Sequence, residues 1–361
     1  MSSSDSPDLR SVPPASPAPV EPVGAGERLS EERLDGHTLA VRSRAPDRDG
    51  LPPALYVHGL GGSSDNWSLL MAQLTDVVDG EAVDLPGFGF SPPPPSGDYS
   101  IGGHARAVIH LIEARARGPV HLFGNSMGGA VVTRVAAARP DLVRTVTLIS
   151  PALPEVPPQP TALPTALLAV PGVTRLFSHL TRDWTAERRT RELLALCYGD
   201  PTLVHPEHLA AAAAEYERRL ALPYFWDVLT RSARGVVDAY TLGGQHSLWR
   251  QAGRVLAPTL LIYGLRDQLI SFRMARRATT VFRDARLLTL LDAGHVAMME
   301  YPEAVARAFR ELLDDVAQRA KVEPVESVEA EGAVSRRTER PAAPGAPGAE
   351  RGAGRGAAAR G

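Results

Sequence analysis

Val120-His121-Leu122-Phe123-Gly124-Asn125-Ser126-Met127-Gly128-Gly129 is the stretch that decides how the chain folds. A short apolar run of strand character leads into Gly-x-Ser-x-Gly. A small-residue helical segment, Ala130-Val131-Val132-Thr133-Arg134-Val135-Ala136-Ala137-Ala138, follows at once. Strand, sharp turn and helix in that order are the context of a nucleophile elbow. A strand can turn into a helix within one residue only where its flanking positions carry no side chain, which accounts for Gly124 and Gly128. Ser126 is then held in a strained conformation with its hydroxyl raised above the sheet. It also stands at a helix N-terminus, where unpaired N–H groups and the helix dipole favour developing negative charge.

Working outward, Ala54-Leu55-Tyr56-Val57 is a continuous apolar run, as a strand covered on both faces requires. It ends in His58-Gly59-Leu60-Gly61-Gly62-Ser63, with a helix expected from about Asn66 to Leu74. A glycine-rich turn after a central strand suits either phosphate cradling or oxyanion stabilisation. The Lys-Ser/Thr of a phosphate loop and the dinucleotide Gly-x-Gly-x-x-Gly are both missing. The oxyanion reading therefore fits better, with the backbone N–H groups of Leu60 and Met127 as donors and His58, Gly59 and Gly61 shaping the loop.

Glu81–Asp84 reads as the next strand, and the loop Leu85-Pro86-Gly87-Phe88-Gly89-Phe90-Ser91 is given a structural role. A helix is expected over Ile101–Ala116 and strands over Thr145–Ile149, Thr259–Tyr263 and Ala285–Leu291. The final helix carries Val305, Phe309, Leu312 and Val316 as an apolar stripe. Arg33–Val41 contains an Asp35-Gly36 hairpin signal. Alternating strands and helices predict an α/β fold with a mostly parallel central sheet flanked by helices.

Between residues 152 and 252 the pattern changes to prolines and then helices, with no strand between them. The expected organisation is a leader at 1–26, a core from 27–151 and 253–321, a helical cap at 152–252 and a tail at 322–361. Leader and tail lack apolar periodicity and are expected to be disordered. Cap helices are expected at Trp184–Tyr198, Pro206–Leu220 and Tyr224–Tyr240. Leu167, Leu168, Phe177, Leu193, Leu196, Tyr224, Phe225, Trp226 and Trp249 either line a pocket or pack the cap onto the core.

Composition bounds the function. Of 361 residues 44% are apolar, enough for a large core, and the net charge of −2 argues against a nucleic-acid enzyme steered by a basic face. Cys197 is the single cysteine, so neither an internal disulfide nor a cysteine zinc site can form. No secretory signal or membrane-length apolar run is visible. The expectation is a cytoplasmic protein with a small-molecule substrate, no nucleic-acid partner, no stable membrane anchor, no cofactor and no metal.

A serine hydroxyl needs a base within hydrogen-bond reach, and the base needs a carboxylate to fix its tautomer. Among ten histidines, His295 follows a strand and a glycine near the end of the core, in Asp292-Ala293-Gly294-His295. Asp267 closes Gly264-Leu265-Arg266-Asp267 just past another strand. Strand C-terminal ends of a parallel sheet share one edge, so Ser126, Asp267, His295, Leu60 and Met127 should meet there. Asp292 is the rival acid, expected instead to stabilise its loop.

Together these segments resemble the α/β-hydrolase fold superfamily over roughly residues 27–320. The resemblance implies an enzyme in which Ser126 is the nucleophile, His295 the base and Asp267 the acid. Serine at position 126 departs from the dehalogenase and epoxide hydrolase patterns, which have aspartate there. The Gly-Asn-Ser-Met-Gly-Gly elbow is similar to that of monoacylglycerol-lipase-like esterases and of carbon–carbon bond hydrolases of meta-cleavage products. The latter usually carry a proline in the oxyanion loop and a tryptophan after the histidine, where this chain has Leu60-Gly61-Gly62-Ser63 and Val296. The expected function is hydrolysis of a carboxylic ester with a small or medium apolar acyl group. Carbon–carbon hydrolysis of a dienone, acyl transfer or perhydrolysis on the same triad, and a ligand-receptor role are the alternatives.

Overall fold

The Asp35-Gly36 signal marks a real hairpin in the computed structural model, which describes residues 26–322 except 205, 242, 244 and 245. Strands β1 (Glu27–Leu34) and β2 (His37–Arg44) pair antiparallel across it, and Gly36 takes φ +74°, a region glycine enters without steric cost. Six strands follow: β3 (Pro53–Val57), β4 (Asp79–Val83), β5 (Val120–Asn125), β6 (Val143–Ile149), β7 (Thr259–Gly264) and β8 (Ala285–Leu290). The sheet order is β1-β2-β4-β3-β5-β6-β7-β8. β2 meets β4 antiparallel, and every neighbouring pair from β4 to β8 is parallel.

Register sets up the site. Gly124 on β5 lies level with Val57 on β3 and Leu148 on β6, and Asn125 lies level with Ile149. The loops after β3, β5 and β6 therefore leave the sheet at one height and on one edge.

The helices are α1 (Ser68–Ala72), α2 (Ile101–Arg115), α3 (Met127–Ala138), α4 (Leu163–Leu167), α5 (Val173–Leu180), α6 (Ala186–Cys197), α7 (Pro206–Leu220), α8 (Phe225–Thr241), α9 (Leu248–Ala252), α10 (Arg273–Val281), α11 (Ala297–Glu300) and α12 (Pro302–Val322). Alternate strand residues feed two cores, as the two-residue period of a strand requires. Leu55, Val57, Leu122, Leu148 and Leu261 pack with Val108, Leu111, Val131, Val135 and Ala278. Tyr56, Phe123, Ile149 and Ile262 pack on the opposite face with Trp67, Leu70, Phe309 and Leu312. The stripe expected on the last helix is there: Val305, Phe309 and Leu312 are fully buried, and Val316 is partly buried against the same core.

Three expectations are corrected. The helix expected from Asn66 begins earlier, as a 3-10 turn at Ser64–Trp67, and continues only through the short α1. Asp84 opens the loop after β4 instead of closing the strand, because its carboxylate caps that loop. Leu167, Phe177 and Leu193 face solvent rather than a pocket, whereas Trp249 is buried and donates from Nε1 to Pro154 O at 2.8 Å. Between β6 and β7 the described residues hold α4 to α9 and no strand. The leader through residue 25 and the tail from residue 323 lie outside the described residues. Among the described residues, those through Val316 form one compact unit.

Phe309 is fully buried, with its ring centroid 4.7 Å from Phe123 and 5.5 Å from His121. Phe309→Ala should cost about 3–5 kcal/mol in urea unfolding, because the rigid sheet cannot close over the cavity. A loss under about 1 kcal/mol would show that this face of the core relaxes freely.

Candidate active site

Ser126 sits between β5 and α3 with φ 53° and ψ −119°, a conformation that L-residues rarely adopt. Its neighbours hold it there. The Ser126 N–H donates to Ile149 O at 3.1 Å, and the Ser126 carbonyl accepts from Ala152 N at 2.9 Å and Ala130 N at 3.2 Å. The glycines are needed for space. A Cβ at Gly124 would lie 2.6 Å from Gly128 O, and one at Gly128 would collide with the Val57 and His58 carbonyls. A Cβ at Gly129 would meet Pro151 at 2.8 Å. The helix N-terminus behind Ser126 presents first-turn N–H groups that have no carbonyl one turn earlier.

Asp267 and His295 come from the ends of β7 and β8 and form a buried pair. His295 Nδ1 is 3.0 Å from Asp267 Oδ2 and 3.2 Å from Oδ1. Asp267 Oδ1 also accepts from the N–H groups of Leu269 at 2.8 Å and Ile270 at 2.9 Å. Burial by itself would raise the Asp267 carboxyl; the charge and hydrogen bond of His295 and the backbone donor outweigh it and hold the group below the usual carboxylate range. Asp267 is thus an acceptor, and the ring nitrogen of His295 that faces it, Nδ1, is its donor. Asp292 is largely exposed and pairs with Arg266 at 2.6 Å.

The loop after β3 lies directly against the serine, since a Cβ at Gly59 would be 3.1 Å from Ser126 Cβ and 3.0 Å from Asn125 Oδ1. Gly62 N donates to Gly59 O at 3.1 Å, closing a four-residue turn around Leu60 and Gly61. Gly61 has φ +71°, which the third position of a type II turn demands. His58 is fully buried. Its Nε2 accepts from Leu85 N at 3.0 Å, so its Nδ1 carries the hydrogen and donates to Gly59 O at 2.7 Å. Burial pushes the His58 imidazole down and keeps it neutral. It is a strut between two loops.

The loop after β4 is structural as well. Asp84 accepts from Ser64 N at 2.6 Å and Phe90 N at 2.9 Å, and a Cβ at Gly89 would strike its carboxylate.

Three further sets of contacts complete the arrangement, none of them expected from the sequence. Asn125 Nδ2 donates to Ile149 O at 3.1 Å and to His295 O at 2.9 Å, tying the elbow to the histidine loop. Glu300 accepts from Gly294 N and Gly199 N, each at 2.8 Å; burial pushes its carboxyl up. Arg219 of α7 donates to Gly61 O at 2.7 Å, and Arg218 donates to Gly89 O at 2.9 Å. Asn125 lies inside the elbow motif and could have been singled out. The other two depend on approaches between distant segments.

A family model for the alpha/beta hydrolase fold matches residues 52–302, and the chain belongs to that family. It is 29% identical over 294 residues to the dihydrolipoyllysine-residue acetyltransferase component of the acetoin cleaving system of Cupriavidus necator, covering 80% of this chain and 69% of that protein. Monoacylglycerol lipase abhd6-A of Xenopus laevis is 24% identical over 281 residues, covering 73% of this chain and 75% of that one. The crystal structure of a serine hydrolase from Cycloclasticus zankles superposes with a TM-score of 0.66 at 20% identity, covering 81% of this chain and 99% of that one. Fold and relatives support a hydrolase, with ester hydrolysis supported at the level of the family. Among the described residues no helix is long and apolar enough to cross a membrane.

Asn125→Asp removes the only donor of that side chain and sets a carboxylate against two buried carbonyls. It should lower unfolding free energy by at least about 1–3 kcal/mol in urea titration. Unchanged stability would mean that the elbow and the histidine loop are held together by other contacts.

Proposed function

We propose that this protein is a serine carboxylic-ester hydrolase acting through an acyl-enzyme. The observation that carries this reading is the buried Asp267–His295 pair, whose loop is fastened by Asn125 to the strained Ser126 elbow. Ser126 Oγ attacks the acyl carbon while His295 Nε2 takes its proton. Asp267, already ionised, steadies the imidazolium. The carbonyl oxygen becomes an oxyanion, which the N–H groups of Leu60 and Met127 bind. Collapse breaks the bond to the leaving alkoxide, which His295 protonates. Water then gives its proton to His295 and attacks the acyl-serine, releasing the acid and restoring Ser126.

The proposed substrate is an ester with a small or medium apolar acyl group. Support comes from the helices above the sheet edge. Leu229 of α8 reaches to 3.6 Å from the Cβ position of Gly61, and Val228 packs against Gly87. An apolar wall at the oxyanion loop favours alkyl groups by about 0.8 kcal/mol per buried methylene.

Turnover of aryl esters tests the roles. Ser126→Ala should retain only the small residual rate that binding and the oxyanion donors supply. Asp267→Asn should lose about a thousandfold or more through the wrong imidazole tautomer, and Asp292→Asn far less. The reverse ranking would move the acid to Asp292.

The Asp267→Asn loss has a defined pH dependence. Asp267 is held below the usual carboxylate range, so it stays ionised on mild acidification. The factor lost in Asp267→Asn should therefore be similar at about pH 6 and about pH 8 in the same ester assay, and a factor that disappears at the lower pH would contradict an ionised Asp267.

A chain-length series tests the substrate class. Each of the first few methylenes should raise kcat/KM by about fourfold, before a fall when the pocket is full. Slow, length-independent ester turnover beside fast cleavage of a dienone would overturn the esterase reading.

A further inference from the structure

Arg219 is a charged side chain in an expensive place. It projects from α7 with only 11% of its side chain exposed, and it reaches a backbone carbonyl of the core. Burying a guanidinium is costly unless its donors are used. Nη1 donates to Gly61 O at 2.7 Å, while Nε stands 3.6 Å from Glu215 Oε1 without a hydrogen bond. Glu215 also binds Arg218, whose Nη2 donates to Gly89 O. One carboxylate thus orients two adjacent arginines, each holding a carbonyl of a core loop. Both carbonyls belong to glycines with positive φ, +71° at Gly61 and +54° at Gly89.

The Gly61 turn is the one that needs an external hold. It contains Gly59, Gly61 and Gly62, and glycine's conformational freedom lets such a turn rotate its peptide planes at little cost. On the sheet side, His58 Nδ1 fixes the Gly59 carbonyl at 2.7 Å. On the helix side, Arg219 fixes the Gly61 carbonyl. The Leu60 N–H shares a peptide plane with the Gly59 carbonyl, which His58 Nδ1 and the Gly62 N–H both hold, and the Gly62 N–H shares its plane with the Gly61 carbonyl that Arg219 holds. We propose that Arg219 is a positioning residue of the oxyanion loop: by fixing the Gly61–Gly62 peptide it keeps the Gly62 N–H on the Gly59 carbonyl and so helps to aim the Leu60 N–H at the developing oxyanion. This rests on the serine-hydrolase reading of the site.

Donors placed for an oxyanion act on the transition state and little on the ground-state ester. The test uses the full chain and a short-chain aryl ester, with Arg219→Met and Arg219→Lys compared with the unaltered enzyme. Arg219→Met should lower kcat by about 10–100-fold, less than or near the loss of a whole oxyanion donor, with KM nearly unchanged. Affinity for a trifluoromethyl ketone of the same acyl length, which forms a tetrahedral oxyanion on the serine, should weaken by a similar factor. Arg219→Lys keeps a cationic donor and should recover much of both; it also serves if the methionine variant does not fold. A raised KM with unchanged kcat and unchanged ketone affinity in either variant would overturn the proposal, because it would mark Arg219 as a packing or substrate-binding residue. Activity of the unaltered enzyme, reduced by Ser126→Ala to the small residual rate, is the separate check on the hydrolase reading. If that fails, the hydrolase reading itself fails; if it holds, the Arg219 results judge the positioning role alone.

Discussion

The loops at the edge of the sheet are arranged around one backbone conformation, that of Ser126. A non-glycine residue at φ 53° and ψ −119° costs on the order of 1–3 kcal/mol and persists only where its surroundings over-determine it. Here they do. Ser126 bonds to Ile149 on β6 and to Ala152 just beyond it, while α3 grips its carbonyl from the other side. Gly124, Gly128 and Gly129 let strand, helix and the segment after β6 approach within the thickness of a side chain. The sheet order follows from the same need, because β5 must lie between β3 and β6 for the loops on both sides to converge on the serine.

Around that point the polar groups divide into two kinds. Some fix geometry: His58, Asp84, Asn125 and Glu300 are spent on backbone donors and acceptors, each binding one loop to another. Asp267 and His295 instead hold each other: the carboxylate faces Nδ1 of the imidazole at 3.0 Å, and the proposed proton transfer falls to this pair. Burial shifts the two kinds differently. It pushes the His58 imidazole down and the Glu300 carboxyl up, whereas at Asp267 the charge of His295, with the hydrogen bonds, outweighs burial and keeps that carboxylate charged.

Much of this was legible in the sequence, for physical reasons. Strands covered on both faces read as continuous apolar runs, so Ala54–Val57, Thr145–Ile149 and Thr259–Tyr263 stand out. The elbow glycines reflect steric limits, and such limits leave few substitutes. Asp267 and His295 could be picked out because each follows the end of a parallel strand, where topology brings loops together. Contacts between remote segments were not legible. Nothing in Arg218-Arg219 distinguishes it from a solvated helix face, and Glu300 reads as an ordinary first-turn acid. Proline density hid α4, although Pro164 stands in the first turn of that helix, where a missing N–H costs nothing. The helix expected from Asn66 shortens for its own reason: the segment after the β3 loop opens as a 3-10 turn that ends on the fully buried Trp67, and only five residues of α-helix follow.

The central claim is that Ser126 is the nucleophile. It is tested most directly by treating the intact protein with a fluorophosphonate and locating the adduct by peptide mass spectrometry. A single stoichiometric adduct on Ser126, suppressed by prior incubation with a slowly turned-over ester, is the expected result. An adduct on another residue, or steady ester turnover from a protein that acquires none, would contradict it.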